Sequence, residues 1–200
     1  MTDDVPRLVP EFAPPKDLAA AAVSGDAAAL AAYLDALKSR SAVRRDHLGS
    51  HLGIEAVEVL SDRVTMRMPW RAELRRGGGI FHGGAIMALA DHVAGTVFNT
   101  DPRVAAAGST GLTTDFNISF LRSAEPGEAV TATGWVLRRG RNVTFMQIDV
   151  RAEGSGHLIA TGRTTYLTVA RASIAAKRQD TDGAAGDATG GAKRQGEGGG

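Results

Sequence analysis

The 200-residue chain contains no cysteine, which excludes disulfides, cysteine nucleophiles and thiolate metal sites together. Charge of one sign is lacking too: 23 Lys and Arg face 22 Asp and Glu, a net of +1. Such a chain has no overall field to draw it onto nucleic acid or an anionic membrane. The longest stretch without a charged residue, 77–90, falls short of the roughly 20 apolar residues that a membrane span requires. No basic leader precedes an apolar core at the amino end, so no signal peptide is expected and the expected location is the cytoplasm. The five histidines, His47, His51, His82, His92 and His157, show no zincin-type spacing, and no metal site is expected. Gly77-Gly78-Gly79 lacks the Lys-Ser/Thr of a phosphate loop, and no GxSxG elbow occurs.

What the chain does have is the composition of an ordinary soluble globular protein, 43% hydrophobic and 22% charged, with an excess of glycine at 25 residues. Eight of those glycines fall in 171–200 beside seven alanines, with Ile174 the one larger aliphatic. That segment buries too little apolar surface to offset its ordering entropy and reads as a disordered tail. Residues 1–26 carry four prolines and five acidic residues and read as an extended, weakly ordered arm. After Ser24-Gly25-Asp26, which supplies capping chemistry, Leu30, Tyr33, Leu34 and Leu37 recur at helical spacing. One amphipathic helix is expected over about 27–42. No second helix follows it across a glycine turn, which argues against a helix-turn-helix.

From Leu52 the dominant period is two. Strands are expected at 53–60, 63–70, 112–120, 129–138, 141–151 and 157–169. The last four are separated by turn-rich links such as Glu125-Pro126-Gly127-Glu128 and Arg139-Gly140, so hairpin-like antiparallel neighbours are expected. Residues 83–98 break the pattern, apolar nearly all round, and read as a helix buried on every side. The economical architecture is α+β: a curled antiparallel sheet of about six strands around one central helix, preceded by an N-terminal helical extension. One sheet face and one helix make a thin core, so a second subunit is expected to complete it.

The one formally charged residue of that helix is Asp91. A structural reading bonds its carboxylate to a backbone group or a partner; a functional one makes it a general base or nucleophile. Before the helix stands Gly77-Gly78-Gly79-Ile80-Phe81-His82-Gly83-Gly84. Glycines let a backbone approach a ligand closely, and first-turn N–H groups with the positive end of the dipole suit a developing oxyanion. Gly83 and Asp91 lie two turns apart, roughly 12 Å along the axis. One carbonyl would not meet both within one helix, whereas a two-fold dimer could supply one from each subunit. Trp70, Phe81, Met87 and Phe98 are candidates to line an apolar tunnel. Thr113, Asp115, Asn117 and Ser119 read as the polar face of a strand.

The stretch Phe81-His82-Gly83-Gly84-Ala85-Ile86-Met87-Ala88-Leu89-Ala90-Asp91 resembles the HGG…LAD signature of hotdog-fold acyl-CoA thioesterases of the phenylacetate-pathway (PaaI-like) type. The likeness continues through Gly111-Leu112-Thr113-Thr114-Asp115-Phe116-Asn117-Ile118 and Arg138-Arg139-Gly140-Arg141-Asn142 to Gly162-Arg163-Thr164. The likeness covers about 48–170, which is the expected hotdog domain, between the N-terminal extension over 1–47 and the tail over 171–200. It also implies dimers whose sheets pair, and tetramers built from two dimers, with active sites at the subunit interface. By position, Asp91 would be the catalytic carboxylate and the Gly83 N–H of the opposite subunit would polarise the thioester carbonyl. His82 would hold the loop and help position the acyl group, and Thr113 would orient the attacking water. Where relatives often carry an asparagine ahead of the histidine, this chain has Arg76. Arg76, Gly84, Arg122, Arg138, Arg139 and Arg141 form the expected substrate-binding set, since guanidinium groups suit the phosphates of coenzyme A; hairpin ends are also charged simply because they are wet. No cofactor is expected beyond the coenzyme A of the substrate. An enoyl-thioester hydratase or dehydratase and a non-catalytic acyl-CoA binding module are the alternatives.

Overall fold

The computed structural model describes residues 14–43 and 47–174. Three helices come first: α1 (Lys16–Val23), α2 (Ala27–Val43) and α3 (Leu48–His51). Strands β1 (Glu55–Leu60) and β2 (Arg63–Met68) form a hairpin, followed by the central helix α4 (Gly83–Asn99) and the short α5 (Pro102–Ala106). Then come β3 (Ser109–Phe120), β4 (Val130–Arg139), β5 (Val143–Ala152) and β6 (Leu158–Ala170). All six strands join one antiparallel sheet in the order β1-β2-β4-β5-β6-β3.

The core lies between α4 and the concave face of the sheet. Leu89, Val93, Val97 and Phe98 of the helix are buried against Val64, Met66, Met68, Val130, Met146, Ile148 and Ile159. Full burial of a side chain of this size stabilises by about 1.5–3 kcal/mol, so this alternate-residue apolar pattern holds sheet and helix together. Gly134 sets the closest approach, because a Cβ there would stand 2.7 Å from Val93 Cγ1.

Four sequence expectations change. Lys16–Val23 is helical where an extended arm was expected. The Ala19-Ala20-Ala21-Ala22 run favours helix, and Pro14 and Pro15 stop short of it; residues 1–13 lie outside the described residues. The hairpin expected between β3 and β4 does not form. The link between those strands is longer than a tight turn allows, and it carries the chain across the sheet, so β3 pairs with β6 while β4 takes the place beside β2. The central helix is not buried on every side: Gly84, Met87 and Asp91 form an exposed stripe at the spacing of one helix face. Of the tail expected over 171–200, Arg171–Ile174 is a helical turn whose Arg171 Nε donates to Ser109 O at 2.8 Å. The rest of 171–200 lies outside the described residues.

Asp26 caps α2 by accepting from Ala28 N and Ala29 N. The stripe read from the sequence faces inward, with Tyr33 and Leu37 buried. Tyr33 OH donates to Asn99 O at 2.9 Å, which ties the extension to the carboxyl end of α4.

Candidate active site

The start of α4 is shaped by His82, its N-cap residue, whose Nδ1 accepts the Gly84 N–H at 2.9 Å. Gly84 is needed for this contact, because a Cβ there would lie 2.9 Å from the same Nδ1. With Nδ1 accepting, the imidazole proton sits on Nε2. Ala85 N and Ile86 N bond back to His82 O, while Gly83 N has no partner among the described residues. One free N–H therefore stands at the positive end of the helix dipole. It borders an open cavity of about 400 Å³ lined by Arg76, Phe81, Gly83, Ile86, Phe120 and Arg122, among others.

Asp91 belongs to a different cluster, two turns further along α4. Thr113 Oγ1 donates to Asp91 Oδ1 at 3.0 Å, and Tyr166 OH donates to the same oxygen at 3.1 Å. Burial holds the Tyr166 phenol above its ordinary pKa, and the neighbouring Asp91 charge adds to this, so the phenol is a donor throughout the working range of pH. Asp91 itself is exposed in the single chain.

Thr113 reaches Asp91 because of a fault in the strand. The β3–β6 register slips between Thr113 and Asp115, and a bulge of this kind re-aims side chains. Thr113 consequently points to the helix side, as Phe116 and Ile118 do on the far side of the bulge. The uniform polar face expected for Thr113, Asp115, Asn117 and Ser119 is thereby broken.

The other expected site residues are divided. Arg76, Gly83 and Arg122 meet at the cavity, with Gly84 and His82 beside it. Arg139 is committed internally: its guanidinium bonds Asp62 Oδ1 at 2.6 Å and the carbonyls of Phe98 and Val97 at 3.2 Å. These bonds place a cation inside the carboxyl end of α4, where it satisfies the last carbonyls and the negative end of the dipole, while the side chain also borders the hollow lined by Arg141. Arg141 lines a separate hollow of about 590 Å³ that also touches Asp101, Arg103 and Ser109, and Arg138 is exposed. Gly77 and Gly78 occupy open space in a turn, where Gly79 takes φ +79° and closes it. The four candidates for an apolar tunnel do not converge. Trp70 packs edge-on against Phe81 at 5.0 Å, Met87 is exposed, and Phe98 lies in the core against Tyr166 at 5.6 Å.

Tyr166 was not among the sequence candidates. Its signal was an inward place in the alternation of β6, directly across from Thr113. Among the described residues, no three His, Asp or Glu side chains gather as metal ligands.

Two half-sites thus sit on one helix and do not meet within one chain: a free N–H with a cavity at its start, and a hydrogen-bonded carboxylate two turns on. Residues 78–159 match the model of the Thioesterase superfamily. Human acyl-coenzyme A thioesterase 13 is 30% identical over 112 residues, which are 56% of this chain and 77% of the relative. The chain belongs to the thioesterase superfamily. Among solved structures, zebrafish thioesterase superfamily member 2 matches with TM-score 0.60 at 28% identity, over 67% of this chain and 97% of that one. A thioesterase from Haemophilus influenzae gives 0.60 at 28% identity, over 68% and 90%. The Escherichia coli PaaI protein of the phenylacetic acid degradation operon, 21% identical, has TM-score 0.58 over 66% and 91%; it shares the hotdog fold. No helix among the described residues is long and apolar enough to cross a membrane.

Proposed function

We propose that the protein hydrolyses acyl-CoA thioesters to a free acid and coenzyme A, in active sites shared between two copies of the chain. The hotdog unit over 48–170 supplies the chemistry, and helix α2 buttresses the far end of α4 through Tyr33. The observation that carries this reading is the free Gly83 N–H on the cavity wall, with Asp91 on the same helix but out of its reach. In a two-fold dimer one subunit offers the N–H and the other the carboxylate.

Strand β3 supports such pairing. It is an edge strand of 12 residues whose last residue, Phe120, is 51% exposed, with Leu121 and Met87 beside it 54% and 39% exposed. An uncovered edge of this length is a template for another strand. Leu112, Phe145 and Leu167 form an apolar group on the outer face of the sheet, and we assign the pairing of dimers into tetramers to it.

The chemistry follows from the two half-sites. The Gly83 N–H takes the thioester carbonyl oxygen and stabilises the negative charge that gathers there. In the general-base form, Asp91 takes a proton from water as its oxygen bonds to the carbonyl carbon. The tetrahedral intermediate collapses, the C–S bond breaks, and the leaving sulfur receives the proton from Asp91. In the nucleophilic form, Asp91 attacks the carbon itself and the C–S bond breaks to release the coenzyme A thiolate; water then cleaves the mixed anhydride, giving back the Asp91 carboxylate and the free acid, whose proton goes to the thiolate. Arg76 and Arg122, at the cavity, are positioned to meet coenzyme phosphates.

The test is thiol release from a panel of phenylacetyl-, benzoyl-, short-chain and long-chain CoA esters. The wild type should turn over at least one of them, and Asp91→Asn should reduce kcat by about 10²-fold or more. Equal rates for the two proteins, or hydration of an enoyl thioester with no thiol released, contradict the proposal.

A further inference from the structure

Both donors to Asp91 converge on Oδ1, while Oδ2 has no partner among the described residues. An exposed carboxylate otherwise turns freely, and a misplacement of about 1 Å at a reacting group costs on the order of 10²-fold in rate. Of the two donors, Thr113 sits on the exposed edge strand, whereas Tyr166 is 5% exposed. Its ring is fixed from two sides. Phe98 lies 5.6 Å away between centroids, and the absent side chain of Gly111 makes the room, since a Cβ there would stand 2.7 Å from Tyr166 Cδ1. The hydroxyl lies against the helix at Gly95, where a Cβ would stand in ordinary contact 3.4 Å from the oxygen. The hydroxyl also lies 3.3 Å from Asp91 O, so it is registered against the backbone as well as the carboxylate.

We propose that Tyr166 is a positioning residue for the hydrolysis: it locks Oδ1 of Asp91 and thereby presents Oδ2 to the water or the thioester carbon. This rests on the thioesterase reading above. Thr113 strengthens the lock, and the cross-strand pair Thr113–Tyr166 is its frame. Because the hydroxyl acts through Asp91, its worth should disappear once Asp91 can no longer react.

The experiment compares four proteins in acyl-CoA thiol release: wild type, Tyr166→Phe, Asp91→Asn and the double variant. Tyr166→Phe deletes one oxygen and keeps the ring packing, and a melting curve checks that it is folded. The expected result is a kcat about tenfold lower, with KM within about twofold of wild type. In the Asp91→Asn background, Tyr166→Phe should change nothing further. An unchanged kcat, a loss confined to KM, or the same loss in both backgrounds overturns the positioning role while leaving the hydrolase reading intact. No thiol release by the wild type, or full activity in Asp91→Asn, overturns the hydrolase reading and this role with it.

Discussion

His82 Nδ1 accepts the N–H of Gly84 at 2.9 Å and so occupies the second amide of α4 while the first, on Gly83, is left free. A substitution can therefore remove the free donor without disturbing the cap. Gly83 is the first helical residue, where proline is favoured because the N–H has no helical partner. His82 already has φ −69° and ψ 133°, the backbone that a residue before proline prefers. Gly83→Pro should keep the helix and the melting temperature but reduce kcat by about 10²–10³-fold. Retained activity would remove the Gly83 amide from the mechanism.

Arg139 makes the opposite kind of prediction. Its side chain is 13% exposed and holds Asp62, two helix-end carbonyls and, at 3.5 Å, Asp101. Arg139→Met takes the cation away from Phe98 O and Asp62, while Val97 O keeps Thr100 and Asp101 keeps Arg103, and it should destabilise the fold by about 1–3 kcal/mol, read by chemical denaturation. KM for an acyl-CoA should stay within about twofold of wild type. A large rise in KM with unaltered stability would restore the phosphate-binding expectation.

His92 gives the stability a pH dependence. Burial pushes its pKa below 6.5, His47 stacked at 5.7 Å adds to the shift, and Asp91 opposes it. The unfolded chain therefore takes up a proton first as pH falls through about 6.5, and folded-state stability is lost from there downward until the folded imidazole titrates too. The melting temperature should fall between about pH 7 and pH 5 more steeply in wild type than in His92→Gln. Parallel curves would place the dependence elsewhere.

Strands and central helix were legible because their signals are local. Alternation in Val64, Met66 and Met68 survives any partner, and an apolar run from Ala85 to Phe98 has to be covered by something. The HGG…LAD stretch likewise puts Gly83 and Asp91 on one helix with His82 just ahead of it. What escaped depends on non-local pairing. Thr113 faces the helix only because of a bulge, and period-two reading assumes no bulge. Tyr166 becomes a neighbour of Asp91 only once β6 lies beside β3, whereas the short links pointed to β3 beside β4. Arg139 looked like a wet hairpin end, and nothing in its vicinity announced that Asp62, 77 residues away in sequence, would meet it. The α1 helix was hidden by the prolines and acids around its alanine run.

Subunit complementation between Asp91→Asn and Gly83→Pro tests the central claim, that one active site draws its carboxylate and its amide from two chains. Each variant alone should be nearly inactive. When the two are unfolded together and refolded as a mixture, half of the dimers are mixed, and each mixed dimer holds one site with both groups intact. The account predicts recovery of about one quarter of wild-type thiol release. A mixture as inactive as its components would contradict it and place both groups in a single chain.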